Sequence, residues 1–503
     1  MTTGFANALA ESVWEQRYRF TPASGAPEPS IDATWDRVAR ALAAGEPRDR
    51  EHWAGKFREA LSDFRFLPGG RILAGAGTAR RVTLFNCFVM GTLSCEHPDV
   101  PAFVAAKQRP GRLTHFNLSV LVSDAFMRAV DVGADWTLAF PRFGIERRVA
   151  ARELWDAIVR GAYESAEPGV LFIDRIRAED NLAYAETISA TNPCGEIPLP
   201  PYGACDLGSI NLTRFVREAF SPRAILDRGA LAEIAAVAAR MLDDVYEVST
   251  FPLPQQAVAA KASRRLGIGV TGLADALAML GLRYDRDEGR RAAAEAMRTI
   301  CEAAYASSIE LARERGSFDR FDRARYLAAP FVQRLPQHLR DGIARHGVRN
   351  SHLTAIAPAG TISLLAGNVS SGLEPIFALE YARDVRRPGG AVERVRVESH
   401  ALAQWRQRMG GAPLTPAFVT TAQVSAEAQV AMQAALQPHV DNAISKTTNV
   451  SADIPLDEFR AIYRRAWERG LKGCTVFRPN RITGAVLTGP EPRCERCEVA
   501  PAA

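Results

Sequence analysis

Residues 192–212 read Asn192-Pro193-Cys194-Gly195-Glu196-Ile197-Pro198-Leu199-Pro200-Pro201-Tyr202-Gly203-Ala204-Cys205-Asp206-Leu207-Gly208-Ser209-Ile210-Asn211-Leu212. The run opens with an amide, a thiol and a carboxylate at alternate positions, and a second thiol, Cys205, follows. In extended backbone, alternate side chains share a face. The sequence therefore predicts that Asn192, Cys194 and Glu196 meet one small substrate: a hydrogen-bonding group, a radical or nucleophile, and a base. Taken alone, the first five residues also suit a loop with an incidental cysteine, because Asn-Pro starts turns and Gly permits them.

Outward from this run, strands and helices alternate, which predicts an α/β architecture. Leu84 to Met90 and Phe116 to Val122 read as buried strands. Helices are expected over 151–164, 230–247, 289–315 and 456–469, the last two closed by Gly316 and Gly470. Gly473-Cys474-Thr475-Val476-Phe477 reads as a strand after the last helix. Residues 1–65 read as a helical region broken around Pro22–Pro29, and 66–480 as the α/β body. From Pro479 the chain loses periodicity, so 481–503 is expected to be a mobile tail.

The 503 residues carry a formal net charge of +5, with 47% hydrophobic and 24% charged residues. This is the balance of a soluble globular protein, long enough to bury a large core. The arginines are scattered among Asp and Glu, and no basic stripe with interleaved aromatics appears, so nucleic-acid binding is not expected. The N-terminal stretch carries Glu11 and Glu15 and lacks an apolar run, and Leu353 to Gly367 is interrupted by Pro358 and Gly360. Neither a signal peptide nor a membrane span is expected. Eight cysteines are too few for a disulfide scaffold, which places the chain in the cytoplasm with mostly reduced thiols. The histidines lack metal-ligand spacing, so no metal site in the protein is expected. Cys301 lies on an Ala-rich helical face and reads as core. Cys494-Glu495-Arg496-Cys497 suits either half of a zinc site or a dithiol on a flexible tail.

Read on from Glu196, the segment resembles the active-site segment of ribonucleotide reductases, of the adenosylcobalamin-dependent (class II) kind. Further blocks resemble that family in family order: Leu84-Phe85-Asn86-Cys87-Phe88-Val89, Phe116-Asn117-Leu118-Ser119-Val120, and Arg264-Arg265-Leu266-Gly267-Ile268-Gly269-Val270-Thr271-Gly272-Leu273-Ala274-Asp275. Ile356-Ala357-Pro358-Ala359-Gly360-Thr361-Ile362-Ser363 and Ser370-Ser371-Gly372-Leu373-Glu374-Pro375 follow. Asp441-Asn442-Ala443-Ile444-Ser445-Lys446-Thr447 and Gly470-Leu471-Lys472-Gly473-Cys474-Thr475-Val476-Phe477-Arg478 complete the series.

The resemblance implies a ten-stranded α/β barrel behind an N-terminal helical region. It implies that Cys194 becomes a thiyl radical, that Glu196 is the base on the 3′ hydroxyl, and that Asn192 binds the ribose hydroxyls, flanked by Pro193 and Gly195. Cys87 and Cys205 would supply two electrons and end as a disulfide, and Cys494 and Cys497 would reduce it. Pro358, Ala359, Gly360, Thr361, Ile362 and Ser363 would form the loop that holds the substrate phosphates, its small residues letting backbone N–H groups approach, with Ala359 standing where relatives more often have Thr. The implied cofactor is adenosylcobalamin, and the implied partners are a ribonucleotide, as the diphosphate, and a thioredoxin- or glutaredoxin-like reductant. The nearest candidate for a glycyl-radical motif, Arg481-Ile482-Thr483-Gly484-Ala485, has Ala at the Tyr position. The last tyrosine, Tyr463, precedes the strand on which class I enzymes relay a radical. Both features favour cobalamin.

One departure stands out. In relatives a long segment, with a barrel strand, dimer-forming helices and effector loops, separates the cysteine strand from the block resembling Gly91-Thr92-Leu93-Ser94-Cys95. Here Met90 runs straight into Gly91. The expectation is a shortened barrel without family dimer helices or effector-controlled selection. The alternative is a catalytically impaired form that binds nucleotide without regulated turnover.

Overall fold

The protein is described from a computed structural model, which covers residues 4–80, 82–88, 91–108, 113, 116–386 and 392–480. The tail cysteines Cys494 and Cys497, and the stretch Arg481 to Ala485, lie outside the described residues.

Three helices open the chain: α1 (Ala8–Arg17), α2 (Ile31–Ala43) and α3 (Arg50–Leu61). Asn7 and Ser30 cap the first two by accepting the backbone N–H of Ala10 and Ala33, which satisfies donors that a helix start leaves free. Trp35, Val38, Ala39 and Leu42 of α2 are buried, at the spacing of one helical face. The non-helical stretch between α1 and α2 holds Pro22 to Pro29, as the sequence predicts.

The body begins with β1 (Phe66–Pro68), β2 (Cys87–Phe88), β3 (Thr92–Ser94) and β4 (Ser119–Val122). Then come α4 (Ala151–Ser165), β5 (Gly169–Phe172), β6 (Ala190–Thr191), β7 (Pro198–Leu199) and β8 (Ala204–Asn211). After them follow α5 (Arg228–Val248), β9 (Leu266–Thr271), α6 (Asp287–Arg315), β10 (Thr447–Asn449), α7 (Leu456–Glu468) and β11 (Gly473–Phe477). The expected helices are present to within a few residues at each end. The expected strand at Leu84 to Met90 is shorter: only Cys87 and Phe88 pair, while Leu84 and Phe85 are buried as coil, and Val89 and Met90 lie outside the described residues. Likewise only Ser119 to Val122 of the second stretch pair, and Phe116 is exposed.

The pairings form one continuous series. β2 pairs antiparallel with β8, β8 parallel with β9, and β9 bridges to Thr354. Ile356 bridges to Ile444, whose strand continues into β10; β10 pairs with β11, β11 with β5, β5 with β4 and β4 with β3. The series runs round a barrel but does not close. Among the described residues no pairing joins β2 to β3, although only the short stretch between Phe88 and Thr92 separates them. The opening falls where the sequence joins Met90 to Gly91.

β8 and β9 are buried along their whole length, as parallel strands covered on both faces require. A side chain at Gly269 would come within 2.2 Å of the Ala355 carbonyl, so glycine there permits the close approach of the next strand. Helix α5 packs against β8 and β9 and against α6. Arg240 of α5 binds the N-terminal region to the barrel: its guanidinium donates to both oxygens of Glu46 at 2.6 and 2.9 Å and lies 3.8 Å over the Trp53 ring of α3. Glu46 is fully buried and also pairs with Arg315.

Removing one partner of a buried charged pair leaves the other desolvated and uncompensated. Glu46→Ala is expected to lower stability by about 3–5 kcal/mol. Arg217→Ala, at an exposed pair with Asp227, is expected to cost less than about 1 kcal/mol. Shifts in urea midpoint at unchanged m-value check both.

Candidate active site

β6 and β7 pair antiparallel, Ala190 opposite Leu199 and Thr191 opposite Pro198. The residues between them make a turn, not the extended segment the sequence predicts. The Asn192 N–H donates to the Ile197 carbonyl at 3.0 Å and the Gly195 N–H to the Asn192 carbonyl at 3.1 Å. Gly195 has φ +84°, a region glycine enters without steric cost. Two prolines and a glycine close by favour such a turn over a strand. Asn192 and Glu196 do meet, but through the turn: the Asn192 Nδ2 donates to Glu196 Oε1 at 2.8 Å. Both are buried, whereas Cys194 at the tip is exposed.

The turn stands over two more thiols. Cys87 of β2 and Cys205 of β8 are directly opposite each other in the antiparallel pair. Such partners have Cα atoms about 4.5–5.5 Å apart, within the span a disulfide bridges. Both are free thiols, buried together with Ile197, Leu199, Leu207 and Ala355. The Asn192 Nδ2 reaches the Cys87 sulfur at 3.4 Å. Ala357 packs on the same cluster and leads into the stretch 358–363, where Pro358 and Ala359 precede a short helix over Gly360–Leu365. There Ala359 is buried, Pro358, Gly360 and Thr361 are exposed, and Ser363 Oγ donates to the Gly360 carbonyl at 2.8 Å. A Cβ at Gly360 would meet nothing within 4 Å, so the backbone there faces open space. The structure thus gathers Asn192, Cys194, Glu196, Cys87 and Cys205, with the loop beside them.

Burial sets the proton state of every one of these acids. It pushes Glu196 up to about 7, against the opposing effects of its own backbone N–H and then of the Asn192 bond, and Glu196 Oε2 has no side-chain partner among the described residues. Cys194 is pushed up to about 12 by burial and then by Glu196. Burial raises Cys87 and Cys205 well above the usual thiol range, with Glu196 adding to it in both. At neutral pH all three keep their S–H bonds. That suits hydrogen-atom and dithiol chemistry and disfavours a thiolate nucleophile.

Three residues carry weight that sequence reasoning did not assign. Asn117 donates from Nδ2 to the Pro193 carbonyl at 3.2 Å and holds the turn; a lone amide at the edge of an apolar run was its only signal. Arg265 is buried in front of β9, bonded to Glu186 and Asn442, and its charge acts on Cys205. Asp206 is buried with neither carboxyl oxygen partnered among the described residues, and burial raises it well above the carboxylate range. Nothing in its local sequence marks it.

Comparison with known proteins gives two family matches: "Ribonucleotide reductase, barrel domain" over residues 86–477 and "Ribonucleotide reductase, all-alpha domain" over residues 5–81. The chain is 35% identical to the vitamin B12-dependent ribonucleoside-diphosphate reductase of Mycobacterium tuberculosis (strain CDC 1551 / Oshkosh), over 96% of this chain and 81% of that protein. It is 34% identical to the protein of that name from Thermoplasma acidophilum, over 79% of this chain and 52% of that one. A vitamin B12-dependent ribonucleotide reductase of Streptomyces clavuligerus is 26% identical over 83% of this chain and 50% of its own. The first alignment spans 583 positions, more than the 503 residues of this chain, so that relative carries segments this chain lacks.

Iodoacetamide at pH 7.5 should label Cys194 in the reduced native protein and leave Cys87, Cys95, Cys205, Cys301 and Cys474 untouched. Labelling of Cys194 should be roughly 10²-fold slower than for a free cysteine, because the fall in thiolate fraction outweighs the gain in nucleophilicity. Peptide mass spectrometry with a time course measures both.

Proposed function

The chain belongs to the ribonucleotide reductase family, and from that premise we propose that it reduces ribonucleoside diphosphates to 2′-deoxyribonucleotides by a thiyl-radical route dependent on adenosylcobalamin. The observation that carries this reading is the register of Cys87 opposite Cys205 beneath the turn bearing Cys194 and Glu196. A protein that only binds nucleotide has no need of a dithiol under a base.

The exposed sulfur of Cys194 fits the cofactor, since a radical source must reach it from solvent while the other two thiols stay enclosed. Adenosylcobalamin, when bound, would supply an organic radical that takes the hydrogen atom of the Cys194 S–H and leaves a thiyl. The Cys194 thiyl takes the hydrogen atom from C3′, forming S–H. Glu196 takes the proton of the 3′ hydroxyl, for which a carboxyl near pH 7 is well matched. The 2′ hydroxyl leaves as water. Cys87 and Cys205 give up two electrons and two protons in total and join as a disulfide, and Cys194 returns its hydrogen atom to C3′. Nucleotide and two thiols become deoxynucleotide, disulfide and water. Backbone N–H groups of Ala359, Gly360, Thr361 and Ile362 take the phosphates; the N–H and hydroxyl of Ser363 are already used on the Ala359 and Gly360 carbonyls. Cys494 and Cys497 pass electrons from a thioredoxin- or glutaredoxin-like dithiol by exchange.

A second reading, reduced or unregulated turnover, is favoured by the opening between β2 and β3 and by the alignment longer than the chain. Among the described residues the edges of β2 and β3 that face this join pair with no other strand, and the segment that conveys effector identity in relatives has no counterpart between Met90 and Gly91.

With adenosylcobalamin and a small dithiol, purified protein should form deoxynucleotide, Cys194→Ser should abolish it, and Cys494→Ser should leave dithiol-driven turnover intact. Equal loss in both variants would remove the tail from the scheme. Glu196→Gln should lower kcat about 10²–10⁴-fold. Because the base must be ionised, wild-type kcat/KM should rise with pH through about 7. Across the four ribonucleotides, deoxynucleotide effectors should leave the preference unchanged; a strong switch would refute the loss of regulation.

A further inference from the structure

Arg265 completes a row that begins with the two thiols. Cys87 of β2 stands opposite Cys205 of β8, and Leu266 of β9 opposite Asp206. Carried one residue back, the second register sets Arg265 beside Cys205. Cys87, Cys205 and Arg265 therefore lie abreast, and residues abreast in a sheet share a face. The electrostatics follow the same alternation. Burial and then Asp206 raise the Cys205 thiol, and Arg265 is the cation that opposes them; for Asp206 the opposing cation is Arg264, one residue earlier. Arg265 is 2% exposed, and its guanidinium is held by Glu186 and by Asn442 Oδ1 at 3.2 Å. A charge enclosed in this way acts at low dielectric and is little screened.

The two ends of the row differ. Cys87 lies on β2, which pairs with β8 on one edge and, among the described residues, with no strand on the other. Cys205 lies on β8, between β2 on one edge and the segment of Arg265 and β9 on the other. A disulfide joining them runs across the strands. In exchange, the attacking thiolate approaches in line with the S–S bond that breaks, so access decides which sulfur is struck. The line through Cys205 enters from the side of Arg265 and β9. The line through Cys87 enters at the open edge of β2.

We propose that Arg265 directs re-reduction of the pair: the incoming thiolate attacks Cys87, and Cys205 departs as a thiolate that the guanidinium stabilises. This rests on the assignment of Cys87 and Cys205 as the redox pair in the proposed function. A bond forms between the external sulfur and Cys87 Sγ, the Cys87–Cys205 bond breaks, and its electron pair goes to Cys205 Sγ, which takes a proton from solvent. A second thiol attacks the external sulfur and releases Cys87 as S–H. Two external thiols become one disulfide, and the two electrons and two protons they lose pass to Cys87 and Cys205. The Asn192 amide, 3.4 Å from Cys87, favours the opposite sense. It is a neutral donor shared with Glu196, and a hydrogen bond of that kind stabilises an anion less than a full cation does. Burial and then the Glu196 carboxyl disfavour a charge on Cys87.

The test uses the full chain in a Cys494→Ser/Cys497→Ser background, so that no tail dithiol competes. Diamide oxidises the pair, its N=N bond taking up two electrons and two protons. The protein then meets 2-mercaptoethanol briefly, free thiols are trapped with N-ethylmaleimide, and peptide mass spectrometry locates both groups. Mercaptoethanol should sit on Cys87 and maleimide on Cys205, about tenfold or more over the reverse, because the better-stabilised thiolate leaves faster. Arg265→Gln should slow opening about tenfold, and Arg265→Lys, which keeps the charge, should restore most of the rate. Arg265→Gln/Glu186→Gln removes both members of the buried pair, serves where the single variant does not fold, and should show the same slowing. Mercaptoethanol on Cys205, equal labelling of the two, or a rate indifferent to loss of the Arg265 charge overturns the proposal. Failure of diamide to join Cys87 to Cys205 would sink the redox pair of the proposed function and this proposal with it; a disulfide that forms but opens at Cys205 sinks this proposal alone.

Discussion

The register of β2 against β8 is the constraint from which the rest of the site follows. Cys205 can face Cys87 only while β8 lies in place, and β8 is held by β1 on part of its length, β2 on another and β9 along its side. A slip of one residue would turn Cys205 outward and bring Asp206 inward, because strand side chains alternate. Asp206 now lies on the outer side, where its acidity answers to Asp243 and Arg264. The wrong register would thus bury a carboxyl against two thiols and strand the redox pair. The apolar residues Leu207 and Ile210, on opposite faces, resist it from both cores.

The same burial that fixes the register supplies the chemistry. Ile197, Leu199, Leu207 and Ala355 exclude water from the thiols, and desolvation disfavours every charged form. Thiols stay protonated and a carboxyl moves up toward neutrality. One physical cause therefore produces both hydrogen-bearing sulfurs and a base that is half-ionised near pH 7. Glu196 escapes a larger shift through its own backbone N–H and, after it, the Asn192 amide.

Charged groups away from the site do structural work of a different kind. Arg240, Arg264, Arg315 and Arg349 interleave with Glu46, Asp243, Asp244 and Glu247 at the junction of α5 with its neighbours. Asp441 accepts from Tyr305, from the Leu353 and Thr354 N–H groups and from the Thr354 hydroxyl. That carboxylate holds the strand at Thr354 to Ile356 against the strand beginning at Asn442, and so sets where the loop 358–363 begins.

The sequence by itself determined the helices, because amphipathic spacing and the stops at Gly316 and Gly470 are local. It also singled out the candidate reacting groups, because Asn192, Cys194 and Glu196 stand together and Cys87 and Cys205 accompany them in family order. It misjudged how Asn192, Cys194 and Glu196 converge: alternation suggested a strand, but Pro193 and Gly195 make a turn that buries the outer two and exposes the middle one. It assigned no role to Asn117, Arg265 or Asp206, whose partners are remote in the chain. The opening between β2 and β3 falls where the sequence already marked the join of Met90 to Gly91, whereas the register that sets Cys87 opposite Cys205 and the shared amide of Asn192 were decided by tertiary structure. Each depends on contacts between segments far apart in sequence, and local periodicity carries no information about which distant strand a strand will join.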